Sequence, residues 1–89
     1  METLKMQLGE RRLLTLAVTI DGSDNFELRE ADYCLTLDGE EVDRGTPMIS
    51  GHEMTLYLEP TTAGRYRLKV KFGVGSERIV RSAYIDVEK

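Results

Sequence analysis

Asp21, Ser23 and Asn25 stand at alternate positions, the spacing of the first three oxygen ligands of a calcium loop. Such a loop needs Gly at its sixth position and Glu at its twelfth. Counted from Asp21, those positions hold Phe26 and Asp32. The flanking segments alternate as strands do, where a calcium hand would have helices, so the expectation is a plain Asp-Gly turn without metal. His52, the only histidine, lies between Gly51 and Glu53, and Cys34 is the only cysteine. Nucleophilic catalysis needs a nucleophile held against a base. A single histidine without a recognisable partner is expected to be an exposed turn residue. Cys34 falls out of phase with Tyr33 and Leu35, so it lies under a second layer or on a partner-facing side, and behaves as a small apolar residue. Glu40, Glu41 and Asp43 cluster at a hairpin, but a glycosidase pair needs a sugar cleft, usually with aromatic platforms. A solvated turn is expected there. No residue is assigned a catalytic, cofactor-binding or metal-binding role.

Charge is the more informative signal. Arg65, Arg67, Lys69, Lys71, Arg78 and Arg81 gather in the last third of the chain, and between Arg65 and Arg81 the only acid is Glu77. Acids dominate from Met1 to Pro60. Like charges two residues apart on one strand face repel, so cross-strand acids or a partner should lie nearby. Three readings follow: acids on neighbouring strands neutralise the ladder, another copy presents an acidic face to it, or an anion binds. Tyr57 points away from the core beside Thr55 and Glu59 and is a candidate interface anchor.

The ladder belongs to the clearest period-2 pattern in the chain. From Thr61 to Phe72, Tyr66, Leu68, Val70 and Phe72 share one face, and Arg65, Arg67, Lys69 and Lys71 share the other. That alternation is a half-buried β-strand, because successive side chains point to opposite sides. It is expected to be the central strand, closed by a Gly73–Ser76 hairpin. Leu4–Leu8 forms a short edge strand, and Leu13–Ile20 is the second strand, with Leu14, Leu16, Val18 and Ile20 on one face. Phe26 and Leu28 make a short extended piece or plug one end of the core. Tyr33–Asp38 turns at Asp38-Gly39 into a return strand at Val42. A short Met48–Ile49 piece and a Met54–Leu58 strand follow, the latter ended by Pro60. The last strand runs from Arg78 to Val87. Ile79 and Val80 are both apolar, which admits a bulge or a register change near Arg81-Ser82.

No sustained helical stripe appears. Seven or eight short strands with regular turn signals indicate an all-β sandwich, in one domain over residues 1–89. With 16 acids and 12 bases the net charge is −4, which disfavours general nucleic-acid binding. One cysteine allows no internal disulfide, and no apolar run approaches the ~20 residues that span a membrane. The first residues lack a basic start followed by an apolar run, so synthesis in the cytoplasm is expected.

Ala63-Gly64-Arg65-Tyr66 is similar to the Gly-x-Tyr that leads into the sixth strand of immunoglobulin-like domains. There the tyrosine sits at a corner and bonds back to the backbone; Gly64 and Tyr66 would be the corner here. A wider likeness follows Thr19-Ile20-Asp21-Gly22, then Phe26-Glu27-Leu28-Arg29-Glu30-Ala31, then Tyr33 to Glu40, and closes on Ile85-Asp86-Val87. This order resembles the immunoglobulin-like N-terminal domain of phage baseplate upper proteins and related prophage tail proteins. Glu27-Leu28-Arg29-Glu30-Ala31 stands where that family carries a "dLtga" segment. The resemblance implies a non-enzymatic assembly part of a virion or prophage tail, contacting protein partners or further copies of itself. The competing expectation is a binding module for carbohydrate or protein, presented by the loops Asp21–Asn25, Asp38–Glu41 and Gly73–Glu77. A hydrolase built on His52 is the third.

Overall fold

A computed structural model describes residues 2–19 and 25–89. Two sheets pack face to face. The larger has the order β1 (Glu2–Gln7), β8 (Glu77–Glu88), β7 (Gly64–Val74), β3 (Leu28–Leu37), β4 (Glu40–Gly45). The smaller has the order β2 (Arg12–Ala17), β6 (Glu53–Leu58), β5 (Met48–Ser50). The chain is thus an all-β sandwich. Among the described residues all pairings are antiparallel except one: β1 runs parallel to β8, with Leu4 beside Ile85 and Met6 beside Val87.

The inward residues are those the alternation selects. Tyr66, Leu68, Val70, Phe72 and Val74 of β7 meet Met54, Leu56 and Leu58 of β6, with Leu35, Ile85, Val87 and Met6 around them. Each such side chain contributes about 1.5–3 kcal/mol when fully buried. Leu14, Leu16 and Val18 pack on the rim of this core. Ile20 and the Asp21–Asp24 part of the expected calcium-like turn lie outside the described residues.

Three expectations about strand boundaries and register are corrected. The piece holding Leu28 is continuous with the Tyr33 strand, because Glu30 at φ +50 absorbs one extra residue opposite Phe72. Arg29 pairs with Gly73 and Asp32 with Lys71, so Leu28 and Ala31 both turn inward. The β7–β8 ladder runs unbroken from Gly64–Val87 to Val74–Glu77, so no bulge occurs at Arg81. Gly73 and Val74 extend β7, and the connection to β8 is Gly75-Ser76 alone. At the other hairpin, Asp38 at φ +52 and Gly39 at φ +82 form the mirror-image turn that suits twisted strands.

Candidate functional site

Register sorts the predicted interface residues onto separate surfaces. On β7 the odd-numbered residues face out, and on β8 the even-numbered ones do, because Arg65 pairs with Asp86 and Gly73 with Arg78. Arg65, Arg67, Lys69, Lys71 and Arg78 therefore share the outer face of the larger sheet. Arg81 does not. It pairs with the buried Val70 and lies on the core side of β8, beyond the cover of the smaller sheet, where its guanidinium donates to the Val80 carbonyl at 3.2 Å. Tyr57 lies on the outer face of the smaller sheet, across the sandwich from the ladder. Its ring is covered by the Arg11 guanidinium at 4.1 Å, and Arg11 pairs with Glu59 at 3.5 Å. One continuous interface cannot include all seven residues.

The ladder is neutralised at its ends and bare in the middle. Arg65 lies 3.4 Å from Asp86 and stacks 4.2 Å over the Tyr84 ring. Arg78 is held by two acids, Glu30 and Asp32, each at 3.5 Å. The left-handed bend at Glu30 brings both carboxylates to one guanidinium. Between these ends, Arg67 faces Thr36 and Tyr84, Lys69 faces Cys34 and Ser82, and Lys71 faces Asp32 and Val80. Asp32 is committed to Arg78. Among the described residues, the charged groups of Arg67, Lys69 and Lys71 make no ion pair. Alternate residues of a strand are ~7 Å apart, so two such charges repel by about 0.6 kcal/mol in water. The fold tolerates that, and an approaching carboxylate meets three unshared cations.

A shallow open depression of about 260 Å³ lies beside this strip, lined by Cys34, Thr36, Gly39, Arg67 and Lys69. Cys34 is half-buried on the outer face, and its thiol donates to Glu41 Oε1 at 3.2 Å. Burial, then the Glu41 carboxylate, push the thiol up from its ordinary value. The same Glu41 oxygen is 3.0 Å from Arg44, so this acid is already shared and leaves the strip uncompensated.

His52 is half-buried, which corrects the expected exposed turn residue. Its ring stacks on Phe26 with centroids 3.9 Å apart, and its Nε2–H donates to the Phe26 carbonyl at 3.1 Å. Its own carbonyl accepts from the Val18 amide at 2.9 Å. Among the described residues no hydroxyl, thiol or carboxylate bonds to the ring. His52 ties the segment before β3 to the end of β2 and the β5–β6 turn. Also among the described residues, no group of three or more His, Cys, Asp or Glu is placed to hold a metal.

The Tyr66 hydroxyl donates to the Thr62 carbonyl at 2.6 Å, across the turn that enters β7. Gly64, at φ +150, holds that turn: a Cβ there would come 3.0 Å from Leu37 Cδ1.

No protein-family model matches the sequence, and no curated protein or solved structure is significantly similar to it.

Proposed function

We propose that this chain is a non-enzymatic assembly module of immunoglobulin-like type, of the kind carried by phage baseplate and prophage tail proteins. Two features support the immunoglobulin-like part. Strands β2, β5 and β6 form one sheet while β3, β7 and β8 sit together in the other, the division seen in that fold. A tyrosine at the start of the sixth long strand also bonds back to the turn before it, as the corner tyrosine does there. The tail assignment rests on the sequence likeness.

The observation that carries the assembly reading is the unshared strip Arg67, Lys69, Lys71. Its complement on another copy is the β3–β4 hairpin, where Asp38 and Glu40 make no ion pair among the described residues. A basic face meeting an acidic hairpin is a head-to-tail contact, which closes into a ring or propagates.

The test is solution mass by light scattering at about 0.05 and 0.5 M salt, a range over which screening lengths fall from above ~10 Å to a few ångströms. A larger mass is expected at low salt than at high salt. The double variant Arg67→Glu, Lys69→Glu should give the high-salt mass at both. Association indifferent to both salt and this reversal would refute the basic strip as the contact.

A further inference from the structure

The sandwich has four sheet edges, and three are guarded. The edge strand β4 carries Glu40, Glu41, Asp43 and Arg44 and is bulged at Val42, which has no partner between the Leu35–Asp43 and Thr36–Glu41 pairs. The edge strand β1 carries Lys5 in its middle, and β5 is only three residues long. Charges, bulges and shortness are the usual devices that keep an open edge from pairing with another chain. The fourth edge, β2, has a charge only at its first residue, Arg12, and no bulge. From Leu13 to Ala17 it reads Leu-Leu-Thr-Leu-Ala, without charge, Gly or Pro.

We propose that β2 pairs antiparallel with β2 of a second copy, joining two three-stranded sheets into one of six strands. Backbone direction and register both support a second copy as the occupant. Val18 sends its amide to His52, towards β6. By alternation Leu14 and Leu16 also bond towards β6, and the N–H and C=O groups of Leu13, Thr15 and Ala17 point to the open side. A twofold axis at Thr15 then sets Thr15 opposite Thr15, Leu13 opposite Ala17 and Leu14 opposite Leu16. Each residue meets one of its own face, so the partly buried Leu14 and Leu16 of both copies extend the core side together.

Charge and the bounds of β2 together select this register. Shifting by one residue would turn every inward leucine outward. Centring on Leu14 would bring Arg12 into the paired stretch opposite Leu16, and centring on Leu16 would leave Leu13 and Leu14 opposite residues beyond the end of β2. Centring on Thr15 pairs all of Leu13–Ala17 and leaves Arg12 opposite Val18, just past the end of the strand. On the outer face it also places Leu13, 54 % exposed and beside Tyr57, against Ala17 of the other copy.

This contact does not use the basic strip, and its test separates the two. A dimer should remain at high salt, where assemblies held by the basic strip have come apart, and in the Arg67→Glu, Lys69→Glu variant. Thr15→Lys puts two like charges opposite each other on the solvent face and should give a monomer with an unchanged circular-dichroism spectrum. In a Cys34→Ser background, Thr15→Cys should oxidise readily to a covalent dimer. Residues directly opposite in a hydrogen-bonded pair lie ~5.5 Å apart, within disulfide reach. Leu13→Cys in the same background should not crosslink, since its counterpart lies four residues along. The proposal is overturned by a monomer at near-millimolar concentration, by a dimer that survives Thr15→Lys, or by equal crosslinking at positions 13 and 15. It is also overturned by a dimer that dissolves in salt and responds to Arg67→Glu, Lys69→Glu instead.

Discussion

Tyr66 and Thr62 are joined across the turn that opens β7, the phenol donating to the carbonyl at 2.6 Å while its ring is almost fully buried. The bond anchors the middle strand of the larger sheet at its first inward residue. Tyr66→Phe should cost about 0.5–1.5 kcal/mol, because the freed Thr62 carbonyl is near solvent and water replaces the donor. Gly64→Ala should cost more: its φ of +150 is strained for any side chain, and Leu37 Cδ1, 3.0 Å from the new methyl, must shift to admit it. Urea unfolding of the two variants checks the order. A larger loss for Tyr66→Phe would mean the hydroxyl, more than the glycine, holds the corner.

Glu30 occupies left-handed backbone at φ +50, a conformation that costs a non-glycine residue about 1–2 kcal/mol. Its ion pair with Arg78 is exposed and offsets little of this. Glu30→Gly should therefore raise stability by about 0.5–1 kcal/mol, with Asp32 keeping Arg78 in place. Thermal unfolding would show it. A fall in midpoint would mean that the Glu30–Arg78 pair outweighs the backbone strain.

The Cys34 thiol is pushed up by burial and by Glu41, so at neutral pH it should alkylate more slowly than a free cysteine. Glu41→Gln removes the carboxylate's contribution and leaves the burial. Iodoacetamide labelling at neutral pH should be faster in that variant, yet still slower than in the unfolded chain. Identical rates before and after the substitution would place the whole effect in burial.

Burial, followed by Asp43, raises the Tyr33 phenol above its ordinary 10.0. The folded chain therefore favours the neutral form. Tyr33's contribution should be fully present below pH ~10 and lost as pH rises through the folded value. The stability gap between wild type and Tyr33→Phe should hold constant at neutral pH and narrow in strong alkali. Denaturant titrations of both chains at several pH values would measure it. A gap that widened with alkali would reverse the assignment.

The period-2 runs were legible because a strand's alternation is local: each inward residue of β6 and β7 is visible from its neighbours two positions away. The bulge at Glu30 left a trace as well. Inward apolar residues fall on even positions at Phe26 and Leu28 and on odd positions at Ala31, Tyr33, Leu35 and Leu37, a change of parity that one extra residue explains. Arg81 was misplaced because Ile79 and Val80 are both apolar and blur the phase of β8. Only the pairing of Val70 with Arg81 resolves it. His52 gave no local sign of the Phe26 ring that covers it, since the two are far apart in the chain.

By itself the sequence determined the all-β class, the inward face of the long strands, the Asp38-Gly39 turn and a ladder of cations on one strand. Alternation and turn chemistry are properties of adjacent residues, and adjacent residues are what a sequence displays. Tertiary structure decided which ladder cations find an acid, that β1 runs parallel to β8, and that β2 is left with an edge open and uncharged from Leu13 to Ala17. Those depend on which strands become neighbours and in what register. Burial of the core as a whole sets that choice, and no short stretch of the chain encodes it alone.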